Sequence, residues 1–356
     1  MGKRITYLLG AGASYRACPI LNEQADKMIL MAVDNLDDKT ARDFQIEKPR
    51  NLTERDDILW DMGYFGTKAK KFGTIDTYAK KLHVSNDIKD RNELPRLKLA
   101  VSIFFTLWMK YDSPVKKRNV KTKEGIDEVL PFADVDPRYI SLLAAILEKN
   151  KTGNPKLREN VRFVNWNYDL QVEKAYKAFC SGNQDWDTIS ESISFRVNDK
   201  TTPLEVCHLN GYHGFYYLNN TQEEKNVLDR EDFKNITDIL KEIGFTSTSA
   251  SRGQLRFTDH INYAWETNTN AITARTQAEK IFSETDIVVV IGYSFPSFNK
   301  EIDSALFSKL QGRKTKIIYQ DPNASEDFLK VLSADLDCEY SIINDRLDSF
   351  YLPYEF

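Results

Sequence analysis

The chain has 356 residues, of which 41% are hydrophobic and 29% charged, the balance of a globular protein with room for one large α/β core and insertions. A net charge of −4 supplies no overall attraction for nucleic acid or for an anionic membrane surface. The four cysteines, Cys18, Cys180, Cys207 and Cys338, form no CxxC pair, which excludes a zinc ribbon and gives no sign of a disulfide framework.

In chain order, "ITYLL" (residues 5–9) is a buried strand running straight into "GAGAS". No signal-peptide stretch precedes it, so a cytoplasmic location with reduced cysteines is expected. Gly10 and Gly12, with Ala11 between them, would let backbone approach a pyrophosphate, and Ser14 adds a hydroxyl. A tight strand-to-helix turn needing no ligand would give the same pattern. Helical spacing at 76–82, 94–111 and 136–150 predicts a helical insertion over residues 39–150 within a single domain of 1–356. In the last of these, Asp136 is a natural N-cap and Pro137 suits the first helical position. The apolar run "LAVSIFFTLWM" (99–109) is too short to span a bilayer. It reads as a buried helix, with a self-association surface as its other use. The basic segment "VKKRNVKTKEG" (115–125), carrying Lys116, Lys117, Arg118, Lys121 and Lys123, reads as a solvated loop, with a phosphate-binding patch as the alternative.

Strand-like runs follow at 162–165, 204–209, 286–292, 316–320 and 339–343, alternating with helical stretches at 169–179, 230–243, 271–282 and 301–310. That alternation predicts a Rossmann-like, doubly wound parallel sheet with ligand at the carboxyl ends of its strands. The sequence places its chemistry there. "NWNYD" (165–169) ends one strand with Asn167 and Asp169, and an amide can hold a hydroxyl or a water though it cannot act as acid or base. "VCHLNGYHG" (206–214) brings His208, Asn210 and His213 after another strand, without the companions that would complete a metal site. "IGYSFPSFN" (291–299) offers Gly292 and Ser294 for phosphate or ribose, or is an ordinary loop. Asp321 in "YQDPNAS" (319–325) suits ribose hydroxyls and equally a helix cap.

"GAGAS", "NWNYD", "HLNG" and "GYSFP", in this order, resemble the sirtuin-like family of bacterial NAD-consuming antiphage defence proteins, in its non-deacetylase branch without a zinc ribbon. "GTIDTYAKKL" (73–82) is similar to a helix of that family, and the likeness covers most of the chain. It implies NAD as substrate, no metal, and hydrolysis to nicotinamide and ADP-ribose by an antiphage effector. In the family an asparagine of "NYD" and a histidine of "HG" flank the nicotinamide ribose. Asn167 matches the first. Asn210 falls where the histidine belongs, and His208 lies two residues back on the same strand face, about 7 Å away. His208, Asn210 and His213 are therefore the candidates for the second role, with His208 the leading base. The resemblance also implies a homo-oligomer, often with a HerA-like ATPase or an argonaute as partner. Nucleic acid would be met only through that partner, since no sensor module follows residue 356. The alternatives are a non-catalytic NAD or ADP-ribose sensor, a nuclease subunit of a defence complex, and an ADP-ribosyltransferase.

Overall fold

The computed structural model describes residues 2–41, 44, 48–121, 125, 127–196, 204–218, 224–229, 235–243, 257–332 and 336–355. Six apolar runs pair as one sheet: β1 Ile5–Leu9, β2 Val161–Asn165, β3 Val206–His208, β4 Ile287–Ile291, β5 Thr315–Gln320 and β6 Cys338–Ile343. Their spatial order is β6-β5-β4-β1-β2-β3, and all neighbours run parallel. Read from the other edge this is 3-2-1-4-5-6, the order of the doubly wound dinucleotide-binding sheet. The Rossmann-like α/β class expected from the sequence is thus observed. β1 and β4 are buried along their whole length, which is why they read as unbroken apolar runs. β6, at the edge, is only partly covered, with exposed Glu339 and Ser341 alternating with half-buried neighbours.

The register aligns the strand ends. Leu9 lies beside Asn165 and Ile291, Asn165 beside His208, and Ile291 beside Gln320. The next residues, Gly10, Trp166, Leu209, Gly292 and Asp321, therefore leave the sheet along one carboxyl edge. The strand order reverses between β1 and β4, and the two glycine turns stand at that reversal.

The chain divides into two compact units, Met1–Ala17 with Val135–Gly211 and Asn262–Phe356, and Cys18–Asp134 with Tyr212–Ile261. The first contains the sheet. Its helix Thr269–Glu284 is capped by Asn268, which accepts from the Ala271 amide at 3.0 Å. The helix expected over 136–150 does start behind Asp136, whose Oδ1 accepts from the Arg138 amide at 3.1 Å. It stops at Ile146, because Leu147–Lys149 turns back to pair with Pro155–Leu157. The stretches expected at 169–179 and 301–310 are helices Gln171–Lys177 and Lys300–Ser308.

The second unit holds helices Leu21–Asn35, Glu54–Lys71, Ile75–Val84 and Ile88–Lys110. The last begins earlier than the expected 94–111 because Asp87 caps it, accepting from the Lys89 amide at 2.9 Å, and Pro95 lies within it. Leu97, Val101, Phe104 and Leu107 are fully buried, so this apolar stretch is core and not a self-association surface. Of the helix expected at 230–243, residues 230–234 lie outside the described residues and the remainder is Ile236–Ile243. The basic segment is corrected from a loop to a strand: Lys117–Lys121 pairs antiparallel with Asp127–Pro131. Alternation turns Arg118 inward, where its Nε donates to Glu23 Oε1 at 2.6 Å and the guanidinium lies 4.3 Å from the Phe132 ring centre. A cation buried that far needs such a partner. Lys123 lies outside the described residues. No described helix is long and apolar enough to cross a membrane.

Candidate functional site

The two glycine turns at the strand-order reversal are bonded to each other. The Gly10 amide donates to Ile291 O at 3.0 Å and the Gly12 amide to Gly292 O at 2.8 Å. A Cβ on Gly10 would stand 2.5 Å from Gly292 O, and one on Gly292, where φ is +57°, would stand 2.3 Å from the Ala13 nitrogen. Backbone meeting backbone therefore explains these glycines before any ligand is invoked. Ala11–Ser14 forms a 3-10 turn with the Ala13 amide on Gly10 O at 2.9 Å. The amides of Gly10, Gly12 and Ala13 are thus already committed within the protein. Arg138 completes the turn: its Nη2 donates to Gly12 O at 3.1 Å and Ala13 O at 3.2 Å. Asp136 Oδ2 holds the same nitrogen at 2.6 Å, and the guanidinium lies 4.8 Å from the Phe350 ring centre. Sequence reasoning saw only a helix cap in this segment and missed Arg138.

The tip of β2 explains its two asparagines separately. Asn165 Oδ1 accepts from the Asn167 amide at 2.9 Å and so builds the turn. Asn167 Nδ2 donates to Gly10 O at 2.8 Å, tying this tip to the first glycine turn. A carbonyl can only accept, so this bond fixes the orientation of the Asn167 amide. The aromatics that follow each of them are packing groups. Trp166 stacks on Tyr293 with ring centres 5.9 Å apart, and Tyr168 meets Tyr263 edge-on at 6.4 Å. Asn165 Nδ2 and Asn210 Oδ1 are buried here with no hydrogen-bond partner among the described residues.

Asp169 follows at once. Its Oδ1 accepts from Ser14 Oγ at 3.1 Å and from the Gln171 amide at 3.1 Å, while the Tyr139 hydroxyl lies 3.3 Å from Ser14 Oγ. Burial pushes the Asp169 carboxyl up to about 6, against the pull of those two hydrogen bonds.

His208, the last residue of β3, is engaged at both ring nitrogens: Nε2 lies 2.7 Å from Glu173 Oε1 and Nδ1 lies 3.3 Å from Asn167 O. Burial disfavours a charged ring, but the Glu173 carboxylate beside it outweighs burial, and the ring titrates above its ordinary value. Both ring nitrogens are thus taken up within the protein, so neither is open to receive a substrate proton, which the role of base requires. Glu173 was not visible as a site residue, since one glutamate on an amphipathic helix is usually solvated.

Asn210 Nδ2 donates to Trp166 O at 3.2 Å, and its backbone oxygen accepts from the Asn262 amide at 2.8 Å. The structure thus brings together Gly10, Ala11, Gly12, Ser14, Asn167, Asp169, His208, Asn210 and Gly292. Ser294 is exposed on its loop. Asp321 is engaged in its own turn, accepting from the Asn323 amide at 2.8 Å, and is not a helix cap, since the next helix begins at Glu326. His213 belongs to the second unit, where its Nδ1 lies 3.3 Å from Thr106 Oγ1. Among the described residues no group of three or more His, Cys, Asp or Glu is placed to hold a metal ion.

No protein-family model and no curated protein matches the chain. Among solved structures, a Sir2 variant with a deacetylated p53 peptide and 3'-O-acetyl-ADP-ribose is 14% identical, covering 98% of this chain and 90% of that one at a TM-score of 0.40. A Sir2 homologue mutant in complex with ADP-ribose is 11% identical, covering 98% and 88% at a TM-score of 0.42. What the site can do is read from its own residues.

Proposed function

We propose that the carboxyl edge of this sheet binds NAD and hydrolyses its nicotinamide–ribose bond, releasing nicotinamide and ADP-ribose, and that the protein is an antiphage effector that depletes cellular NAD. The observation that carries this reading is the 2.8 Å bond from Asn167 Nδ2 to Gly10 O. It fastens the asparagine of "NWNYD" to the glycine turn at the strand-order reversal, the place where doubly wound sheets bind dinucleotides. The resemblance of the four motifs to NAD-consuming proteins supports the same reading.

The chemistry suits the residues. Nicotinamide leaves as a neutral molecule from a positively charged nitrogen through an oxocarbenium-like transition state, so little acid catalysis is needed. What is needed is placement of a ribose and a water. With Nδ2 committed to Gly10, Asn167 Oδ1 remains to accept from a ribose hydroxyl or from the attacking water. Asp169 and Ser14 hold the adjacent turn. No metal enters this scheme. Incubation with NAD and chromatography of the products tests it. Wild type is expected to yield nicotinamide and ADP-ribose, and Asn167→Ala to lose about 10²- to 10³-fold in rate. Undiminished NAD consumption by Asn167→Ala would refute the assignment.

A second reading, a sensor that binds NAD or ADP-ribose without turnover, is favoured by one observation: His208 is engaged at both nitrogens and Asn210 stands where the family has its histidine, so the edge lacks a free base. Calorimetric binding with NAD recovered intact would select it.

A further inference from the structure

We infer that Glu173 is a positioning residue for Asn167: by keeping His208 as an imidazolium it makes both ring nitrogens donors, one to its own carboxylate and one to the Asn167 carbonyl. The inference rests on the hydrolase reading for its effect on rate, and on geometry for its existence.

The geometry is a chain of two contacts across three elements. Glu173 lies on helix Gln171–Lys177 with its side chain 0% exposed, and that of His208 is 1% exposed. Glu173 Oε1 is 2.7 Å from His208 Nε2, and His208 Nδ1 is 3.3 Å from Asn167 O. A neutral imidazole carries one N–H, so it would leave one of these two acceptors facing a lone pair. The doubly protonated ring satisfies both and gives the buried carboxylate its counter-charge. Asn167 is then held at three atoms: its amide on Asn165 Oδ1 at 2.9 Å, its carbonyl on the ring, and its side chain on Gly10 O at 2.8 Å. An ion pair serving packing alone would not need to reach that carbonyl. Two charged groups that act on His208 are Glu173, from the helix, and Asp169, from the turn after β2. Asp169 titrates near 6, so the experiment is read on the alkaline side of it.

The test uses the full chain with ¹⁵N-labelled histidine, the His208 signals being assigned by their loss in His208→Gln. Ring shifts are followed against pH in wild type and Glu173→Gln, alongside kcat and KM for NAD. Wild type is expected to keep both ring protons at about pH 8. Glu173→Gln preserves shape but removes the charge, so its ring should lose a proton at lower pH. Its kcat should fall about tenfold at about pH 8 with KM within about twofold, while the ring shifts report a neutral His208. A packing role for Glu173 would leave the proton count of the ring unchanged. A single ring proton in wild type at about pH 8 overturns the inference. So does a Glu173→Gln enzyme with a neutral His208 and wild-type kcat. If wild type consumes no NAD under any activating condition, the hydrolase reading falls by itself. The clamp is then judged on the ring shifts and on the Asn167 carbonyl ¹³C shift, which is expected to move in Glu173→Gln and overturns the inference if it does not.

Discussion

Asp169 carries the plainest consequence of burial in the site. Its carboxyl rises from 3.8 to about 6 in the folded chain, burial being the largest cause. Between those values the folded protein holds a proton that the unfolded chain releases. The stability linked to this group is therefore complete below about pH 4 and is lost as pH rises through 6, a difference of about 3 kcal/mol. Asp169→Asn removes the titration while an amide oxygen can still accept from Ser14 and Gln171. The variant is expected to gain on wild type in thermal unfolding at about pH 8 and to match it near pH 4. An equal difference at both pH values would show that the carboxyl does not titrate in this window. Asn167 and Asp169 could be singled out from a strand tip that ends in amides and a carboxylate. Glu173 and Arg138 could not, because nothing near them in sequence marks the partners they meet. His208 is 35 residues from Glu173, and Gly12 is 126 residues from Arg138.

The element that decides the geometry of the edge is the pair of glycine turns after β1 and β4. They lock because Gly12 donates to Gly292 and no Cβ intervenes. Gly292→Ala adds a methyl 2.3 Å from backbone and places alanine at φ +57°. The turns must separate, at an expected cost of about 2–5 kcal/mol. Gly153→Ala is the control: φ is +86° there but nothing lies within 4 Å of the added carbon, so about 1 kcal/mol is expected. Urea unfolding of both variants measures the comparison, with the larger fall in midpoint at Gly292 and unchanged slopes. Equal falls would mean that the contact between the turns contributes little. The basic segment teaches the opposite lesson about local reading. Its lysines and arginine suggested a solvated loop, yet one position of the alternation, Arg118, turns inward onto Glu23 and Phe132. The segment is a strand because it pairs with residues 127–131, and Glu23, distant in sequence, gives its inward arginine a counter-charge.

For the whole molecule, an enzyme that destroys NAD freely would kill its own cell, so an effector of this kind has to be conditional. We propose that it works as a homo-oligomer released by a partner, a HerA-like ATPase being one class. The apolar stretch at 99–109 is not the oligomer surface, because its large side chains are already core. Light scattering is expected to give a mass above 41.1 kDa, with low NAD hydrolysis until a partner or trigger is added. A monomer at every concentration that hydrolyses NAD at its full rate would overturn this proposal.

The sequence by itself determined the fold class and which residues end the central strands. Central parallel strands are covered on both faces and so appear as unbroken apolar runs, and the residues that end them are legible without a structure. The strand order 3-2-1-4-5-6, and with it the meeting of the β1 and β4 turns, was decided only by tertiary packing. So was the chemical state of the site's residues. Whether Gly10 and Gly12 serve a ligand or each other's turn, and whether His208 is a base or a fixed cation, depends on groups brought to within 3 Å by the fold. Hydrogen bonding and proton affinity follow distance in space, and that distance is not written in the spacing of residues along the chain.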